Sequence, residues 1–139
     1  MLKISDDELQ FITGIADEEK AIQSLFIGNV KVVILTKGSK GAEVYTRYNK
    51  VFESAFKVDV VDTTGAGDSF IGAFIYQLLS RNEQVETLEK LADDAKKCRE
   101  ILRFANATGA IVVSRKGAIP SMLTQEEVEK FMVTSIHFV

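Results

Sequence analysis

In the stretch DVVDTTGAGDSFIGAF, residues 59–74, three glycines and two alanines surround Asp68 before the chain runs on into an apolar segment. Phe70, Ile71, Phe74, Ile75, Leu78 and Leu79 recur at helical spacing, so a helix is expected to begin at Gly65, Ala66 and Gly67, with a strand ahead of it. Small side chains let a backbone come close to another group. The unpaired N–H groups of a helix start, together with the helix dipole, favour a phosphate oxyanion. Asp68 adds negative charge where that anion would sit, which points to chemistry on a phosphate rather than binding alone. An acid in the first turn is placed to take the proton of an alcohol attacking phosphorus. The alternative is an acidic residue that merely suits a helix start.

The rest of the chain alternates between strand and helix patterns, which argues for an α/β layer structure in one domain. LKIS reads as a short strand, followed by a helix with Ser5 or Asp6 as N-cap and Gly14 as its stop. DEEKAIQSLFIG reads as a helix closed by Gly28, and VKVVILT as a strand covered on both faces. GAEVYT and KVFESAFKVDVV are expected strands with RYNK as the turn between them. A helical stretch carries Leu88, Leu91, Ala92 and Ala95, then Ile101, Leu102 and Ala105, with Asp93, Lys96 and Lys97 on a solvated face. AIVVSRKGAIPS is read as a loop, and Thr124 with Glu127 as the capping box of a last helix.

Composition narrows the partners. With 139 residues, 46% of them hydrophobic, the chain can bury one core, and its net charge of −3 gives no reason to expect nucleic acid. No apolar run approaches a membrane span and no signal-peptide pattern is visible, so no membrane and a cytoplasmic setting are expected. The single Cys98 rules out an intramolecular disulfide. The lone His137 sits in the C-terminal tail and is not read as a ligand.

VDTTGAGDSFIGAF closely resembles the C-terminal signature of the PfkB (ribokinase-like) carbohydrate kinases. That resemblance implies a catalytic base at Asp68 and an anion hole formed by the backbone of Gly65, Ala66, Gly67 and Asp68. Other segments match in order. VVILTKGSKGA resembles the family's strand and glycine turn along the ATP site, implying contacts from Thr36, Gly38 and Gly41. Lys37 stands there where leucine is frequent, and either leaves the backbone role intact or approaches phosphate oxygens as a point charge. LRFANATGAIVVSRKGAIPS resembles the fructokinase and ribokinase helix and loop in which Asn106 borders the adenine, the alternative being an asparagine that faces solvent. SRKGAIPS resembles a potassium loop, implying K+ ligands at Asp62, Thr64, Val112, Arg115, Gly117 and Ser121, several through backbone carbonyls. KISDDELQFITG resembles the Asn-x-x-Glu element that positions Mg2+ and phosphate, with Ser5 in place of asparagine and Glu8 retained.

The resemblance runs from about residue 3 to about residue 131 and maps onto the C-terminal half of the family. It implies an α/β, three-layer ribokinase-like fold, with a mainly parallel sheet flanked by helices. It further implies ATP, magnesium and potassium as cofactors, and a small, fructose-like sugar as the acceptor. The N-terminal sugar-binding and lid half is not recognisable in residues 1–139, so negligible activity is expected of this chain alone. Exposed strand edges and helix faces lead to an expected homo-oligomer. Two alternatives stay open: a non-catalytic nucleotide-binding remnant that self-associates, and a nucleoside kinase of the same superfamily.

Overall fold

The computed structural model describes residues 1–115 and 123–135. Four strands, β1 (Leu2–Ser5), β2 (Val33–Thr36), β3 (Gly41–Tyr45) and β4 (Lys50–Ser54), form one open sheet in the order β1-β2-β3-β4. Only β1 and β2 run parallel; β2–β3 and β3–β4 are antiparallel, which corrects the expectation of a mainly parallel sheet. Connection length is the reason. Helices α1 (Asp6–Thr13) and α2 (Glu18–Ser24) carry the chain over from β1 to β2. The links at residues 37–40 and 46–49 are far shorter than the roughly dozen residues a parallel crossover needs, so they make hairpins.

The sheet sits in the middle of three layers. Alternation along β2 sends Val33 and Leu35 to a core with Ile4, Leu9, Ala21 and Ile22, under α1 and α2. Val32 and Ile34 enter the larger core on the other side. There, Phe74 of α3 (Ala66–Ser80) and Ile101 and Leu102 of α4 (Ala95–Val113) are fully buried, and Val128 of α5 (Gln125–Thr134) closes the layer. Cys98 lies in the same core, where burial pushes its thiol up to about 12 and leaves it unreactive.

Several boundaries differ from the sequence reading. Strand β4 stops at Ser54, and Val60 and Val61 are exposed in the loop leading to α3. Helix α2 ends at Ser24, with Gly28 left-handed in the turn beyond it. The stretch from Leu88 to Ala95 divides into a 3-10 segment, Val85–Asp93, and α4, because Asp94 turns its carboxylate onto the N–H of Lys97 as an N-cap. Asp93 and Lys97 are not simply solvated: Asp93 accepts from the Asn49 amide and Lys97 pairs with Glu83. Ala110 to Val113 are helical and buried, or nearly so, and continue α4 instead of opening a loop. The six-residue stripe on α3 is also narrower than expected, since Ile75 is 41% and Leu79 69% exposed.

These placements give two expected outcomes. Phe74→Ala should destabilise the chain by about 3–5 kcal/mol, while Leu79→Ala should stay within about 0.5 kcal/mol, both read by urea unfolding. Lys37 of the β2–β3 link pairs with Glu18 of α2 at 2.9 Å and with the buried Glu43 of β3. Burial alone would lower the Lys37 ammonium, but the two carboxylates outweigh it and hold it above its usual 10.5. Its stabilisation is therefore present below pH 10.5 and is lost as pH climbs through the higher folded value. Lys37→Met strands the Glu43 carboxylate and should cost about 3 kcal/mol at pH 7, and adding Glu43→Gln should recover part of the loss in a double-mutant cycle.

Candidate functional site

The parallel pair β1–β2 ends beside the first turns of α1 and α3, and a cleft of about 460 Å³ opens there. A crevice beyond the carboxyl ends of parallel strands is the usual ligand position in open α/β sheets, and this volume suits a small molecule. One wall is apolar, with Phe56, Val58, Phe70, Ala110 and Val113. The other is polar, with Lys3, Ser5, Asp6, Asp7, Thr36 and Ser39.

The first turn of α3 is built unlike those of the other helices. Ser5, Asp17, Asp94 and Thr124 each cap a helix by accepting an N–H with a side-chain oxygen. At α3 the N-cap is Gly65 in the left-handed conformation at φ 78°, with no side-chain cap bond. The N–H of Ala66 donates to the carbonyl of Thr63 at 3.2 Å and that of Ser69 to Gly65 at 2.9 Å. Among the described residues, no backbone acceptor takes the N–H groups of Gly67 and Asp68. Nor does the exposed Asp68 carboxylate hydrogen-bond to any described residue, so it does not act as a cap. The turn therefore presents open donors and a free carboxylate in the same place.

Residues 37–41 form the adjoining rim. The N–H of Lys37 donates to the Gly41 carbonyl at 2.8 Å, and the N–H of Gly41 returns to Gly38. Gly41 has φ 123°, and a Cβ there would lie 2.2 Å from the carbonyl oxygen of Glu53, so only glycine fits. Thr36, Gly38 and Gly41 all line the cleft, but Lys37 points its ammonium away to Glu18 and Glu43, which removes it as a charge toward phosphate.

Asn106 lines the cleft from α4, 8% exposed, so it does not face solvent. Its Nδ2 donates to the carbonyls of Glu53 and Ser54 at 3.2 Å each, fastening α4 to the end of β4. That bond gives the residue a structural role beside any contact with a ligand.

Glu8 is not among the cleft-lining residues. It is the third residue of α1, where its carboxylate accepts the Ser5 N–H at 2.9 Å while Ser5 Oγ accepts the Glu8 N–H at 3.2 Å. The backbone bond from Ser5 holds its carboxyl below the usual carboxylate range. Asp6 and Asp7 line the cleft instead. No group of three or more His, Cys, Asp or Glu side chains able to hold a metal ion occurs among the described residues.

Asp62, Thr64, Val112 and Arg115 gather where the loop before α3 meets the end of α4. The N–H groups of Val61 and Asp62 both donate to the Val113 carbonyl, at 2.7 and 3.1 Å. Asp62 Oδ1 accepts the Thr64 N–H at 2.9 Å, and the N–H of Arg115 donates to the Val112 carbonyl at 3.3 Å. Arg115 sends its guanidinium toward Glu127 at 3.8 Å. Gly117, Ser121 and His137 lie outside the described residues. A helix C-terminus beside a carboxylate favours a cation, and the oxygen donors of this corner are of the kind that suits a hard one.

Sequence reasoning passed over Lys3, Asp6 and Asp7. The signal for Lys3 was available, since it stands two residues before Ser5 on one strand and so shares its face. Asp6 and Asp7 carry no such signal, because acidic residues in the first turn of a helix are commonplace without a ligand.

Residues 1–125 match the family model described as pfkB family carbohydrate kinase. "Probable fructokinase-4" of Arabidopsis thaliana is 42% identical over 134 residues, 95% of this chain and 39% of that protein. A fructokinase from Xylella fastidiosa solved with bound ATP superposes with TM-score 0.85 at 30% identity, over 95% of this chain and 42% of that one. A fructokinase from Vibrio cholerae O395, solved with fructose, ADP and calcium ion, gives TM-score 0.78 at 30% identity, over 94% of this chain and 40% of that one. The chain spans about two-fifths of the length of these relatives. No described helix is long and apolar enough to cross a membrane. The fold, the open α3 turn and these matches together place the chain in the pfkB family of carbohydrate kinases.

Proposed function

We propose that this chain forms the ATP side of an ATP-dependent phosphoryl transfer to a hydroxyl of a small, fructose-like sugar. The observation that carries the reading is the uncapped first turn of α3: Ala66 and Gly67 line the cleft, and Asp68, which is exposed and does not itself line it, follows in the same turn. The turn of Gly65, Ala66 and Gly67 would receive the transferring phosphoryl group, and Asp68 would take the proton of the attacking hydroxyl. Thr36, Gly38 and Gly41 would line the nucleotide, and Phe56 and Val58 supply an apolar wall beside Asn106 for a base. Relatives solved with ATP, or with fructose and ADP, support both ligands.

Magnesium would arrive on the nucleotide phosphates, since it is commonly held by one or two carboxylates together with phosphates. It would be met from the α1 side, where Glu8 follows the cleft-lining Asp6 and Asp7. Potassium would be held by Asp62 and by carbonyls near Thr64, Val112 and Arg115, with Gly117 and Ser121 completing the set. Its charge would brace the loop that leads into α3. We place the reaction in the cytoplasm, where ATP is supplied.

The chain covers two-fifths of its relatives, and we assign sugar recognition and exclusion of water to the remainder of their length. Positioning is most of phosphoryl-transfer catalysis, so the isolated chain should not phosphorylate fructose above background. Calorimetric titration with a non-hydrolysable ATP analogue and magnesium should show binding that strengthens with potassium. Asp68→Asn should bind equally well, because the base acts on the sugar. Absence of nucleotide binding would overturn the reading, and robust fructose phosphorylation would overturn the division of labour.

We also propose self-association. Phe11, Ile12, Ile75 and Leu79 are exposed, and β1 has no second strand neighbour among the described residues. Light scattering should give at least a dimer mass that rises with concentration; a constant monomer mass would end the idea.

A further inference from the structure

Lys3 is a half-buried lysine on β1 whose side chain crosses the floor of the cleft to α3. A Cβ added at Gly67 would lie 2.8 Å from Lys3 Nζ and 3.8 Å from Cε. The absence of a side chain at Gly67 leaves room for the Lys3 ammonium at the helix start, and a methyl group there would push that mobile end aside.

This position is electrostatically unfavourable as it stands. The N-terminus of a helix carries partial positive charge, so a cation set against it is repelled where an anion would be attracted. Lys3 has no compensation in a direct pair. Lys31, Lys37, Lys50 and Lys97 all form ion pairs with glutamates. Lys3 forms neither an ion pair nor a hydrogen bond with any described residue, although Asp6 and Asp7 line the same cleft and its charge reaches Glu8 through space. A half-buried ammonium, two unpaired backbone N–H groups and a positive helix end converge on one small volume. One polyanionic group placed there would satisfy all three.

Resting on the nucleotide reading above, we infer that Lys3 binds the terminal phosphate of the nucleoside triphosphate, closing the anion hole of α3 from the β1 side. Lys3 then contributes at the phosphate and not at the base or ribose. It also answers a difficulty of the site, because Asp68 beside a phosphate raises local negative charge that Lys3 offsets. Arginine at position 3 would keep the charge but is bulkier against Gly67.

The test is a set of calorimetric titrations with a non-hydrolysable ATP analogue plus magnesium, with tripolyphosphate, and with adenosine. Lys3→Met should weaken the analogue and tripolyphosphate by about 10-fold or more, as expected for loss of a charge-assisted contact, and leave adenosine unchanged. Lys3→Arg should retain part of the phosphate affinity. Gly67→Ala, which leaves the lysine in place but crowds its ammonium, should lose phosphate affinity in the same direction. Lys20→Met, on the exposed face of α2, should change nothing and controls for net charge. If wild-type chain binds the analogue and Lys3→Met binds it equally, the inference about Lys3 fails while the nucleotide reading survives. If Lys3→Met weakens adenosine as much as the analogue, the residue is structural and the inference fails. If wild-type chain binds none of the three probes, the nucleotide reading fails and takes Lys3 with it.

Discussion

One carbonyl oxygen, that of Val113 at the end of α4, takes the N–H groups of both Val61 and Asp62. The cleft depends on that pair of hydrogen bonds. Phe56, just after β4, is buried in the larger core, but Val60 and Val61 beyond it are exposed, so apolar burial does little to hold the stretch that leads into α3. The clamp fixes its end against α4 and so sets where Asp62, Thr64 and Gly65 lie. Asp62 then folds onto the N–H of Thr64, and Gly65 turns left-handed into α3. Without the clamp, the open donors of α3 would have no defined direction relative to the β2–β3 turn.

The clamp has a firm anchor because α4 is deeply buried. Its residues Cys98, Ile101, Leu102, Ala105 and Ala107 are fully buried, which makes it the central beam of the larger core. Asn106 adds a second attachment, tying the middle of α4 to Glu53 and Ser54 at the end of β4. The two sides of the cleft therefore hang from one helix, the loop of α3 at its C-terminal end and the strand end near its middle. Precision at a site of this kind comes from rigid supporting elements more than from the residues that touch the ligand.

The local chemistry of the elements was largely legible in the sequence. Ser5, Gly14 and Thr124 act as the caps that their types and spacing announced, because capping is decided within a few residues. The two-sided burial of β2 followed from its unbroken apolar run, and the family was legible in the DTTGAGD string. What sequence could not show is long-range pairing. The side chains that bind Lys37, Glu18 and Glu43, are remote in sequence or reached only through a strand reversal, so a lysine in a glycine turn looked available for phosphate. The sequence around Asn106 offers a ligand or a surface residue, whereas its partners come from the end of β4, more than fifty residues away. The extent of α4 was underestimated because Gly117 and Pro120 suggested a loop earlier than buried Ala110, Ile111 and Val112 allow one.

The central claim is that the turn of Gly65, Ala66 and Gly67, the turn of Gly38 to Gly41 and Asn106 form one nucleotide site within this chain. Amide NMR titration with ADP and magnesium tests it most directly, since each of these residues reports separately. Perturbations should concentrate at Gly38, Gly41, Gly65, Gly67 and the Asn106 side chain, with little change around the smaller cavity of about 180 Å³ that Glu19, Tyr45 and Lys50 line. Perturbations at that smaller cavity, with none at the glycine turns, would contradict it.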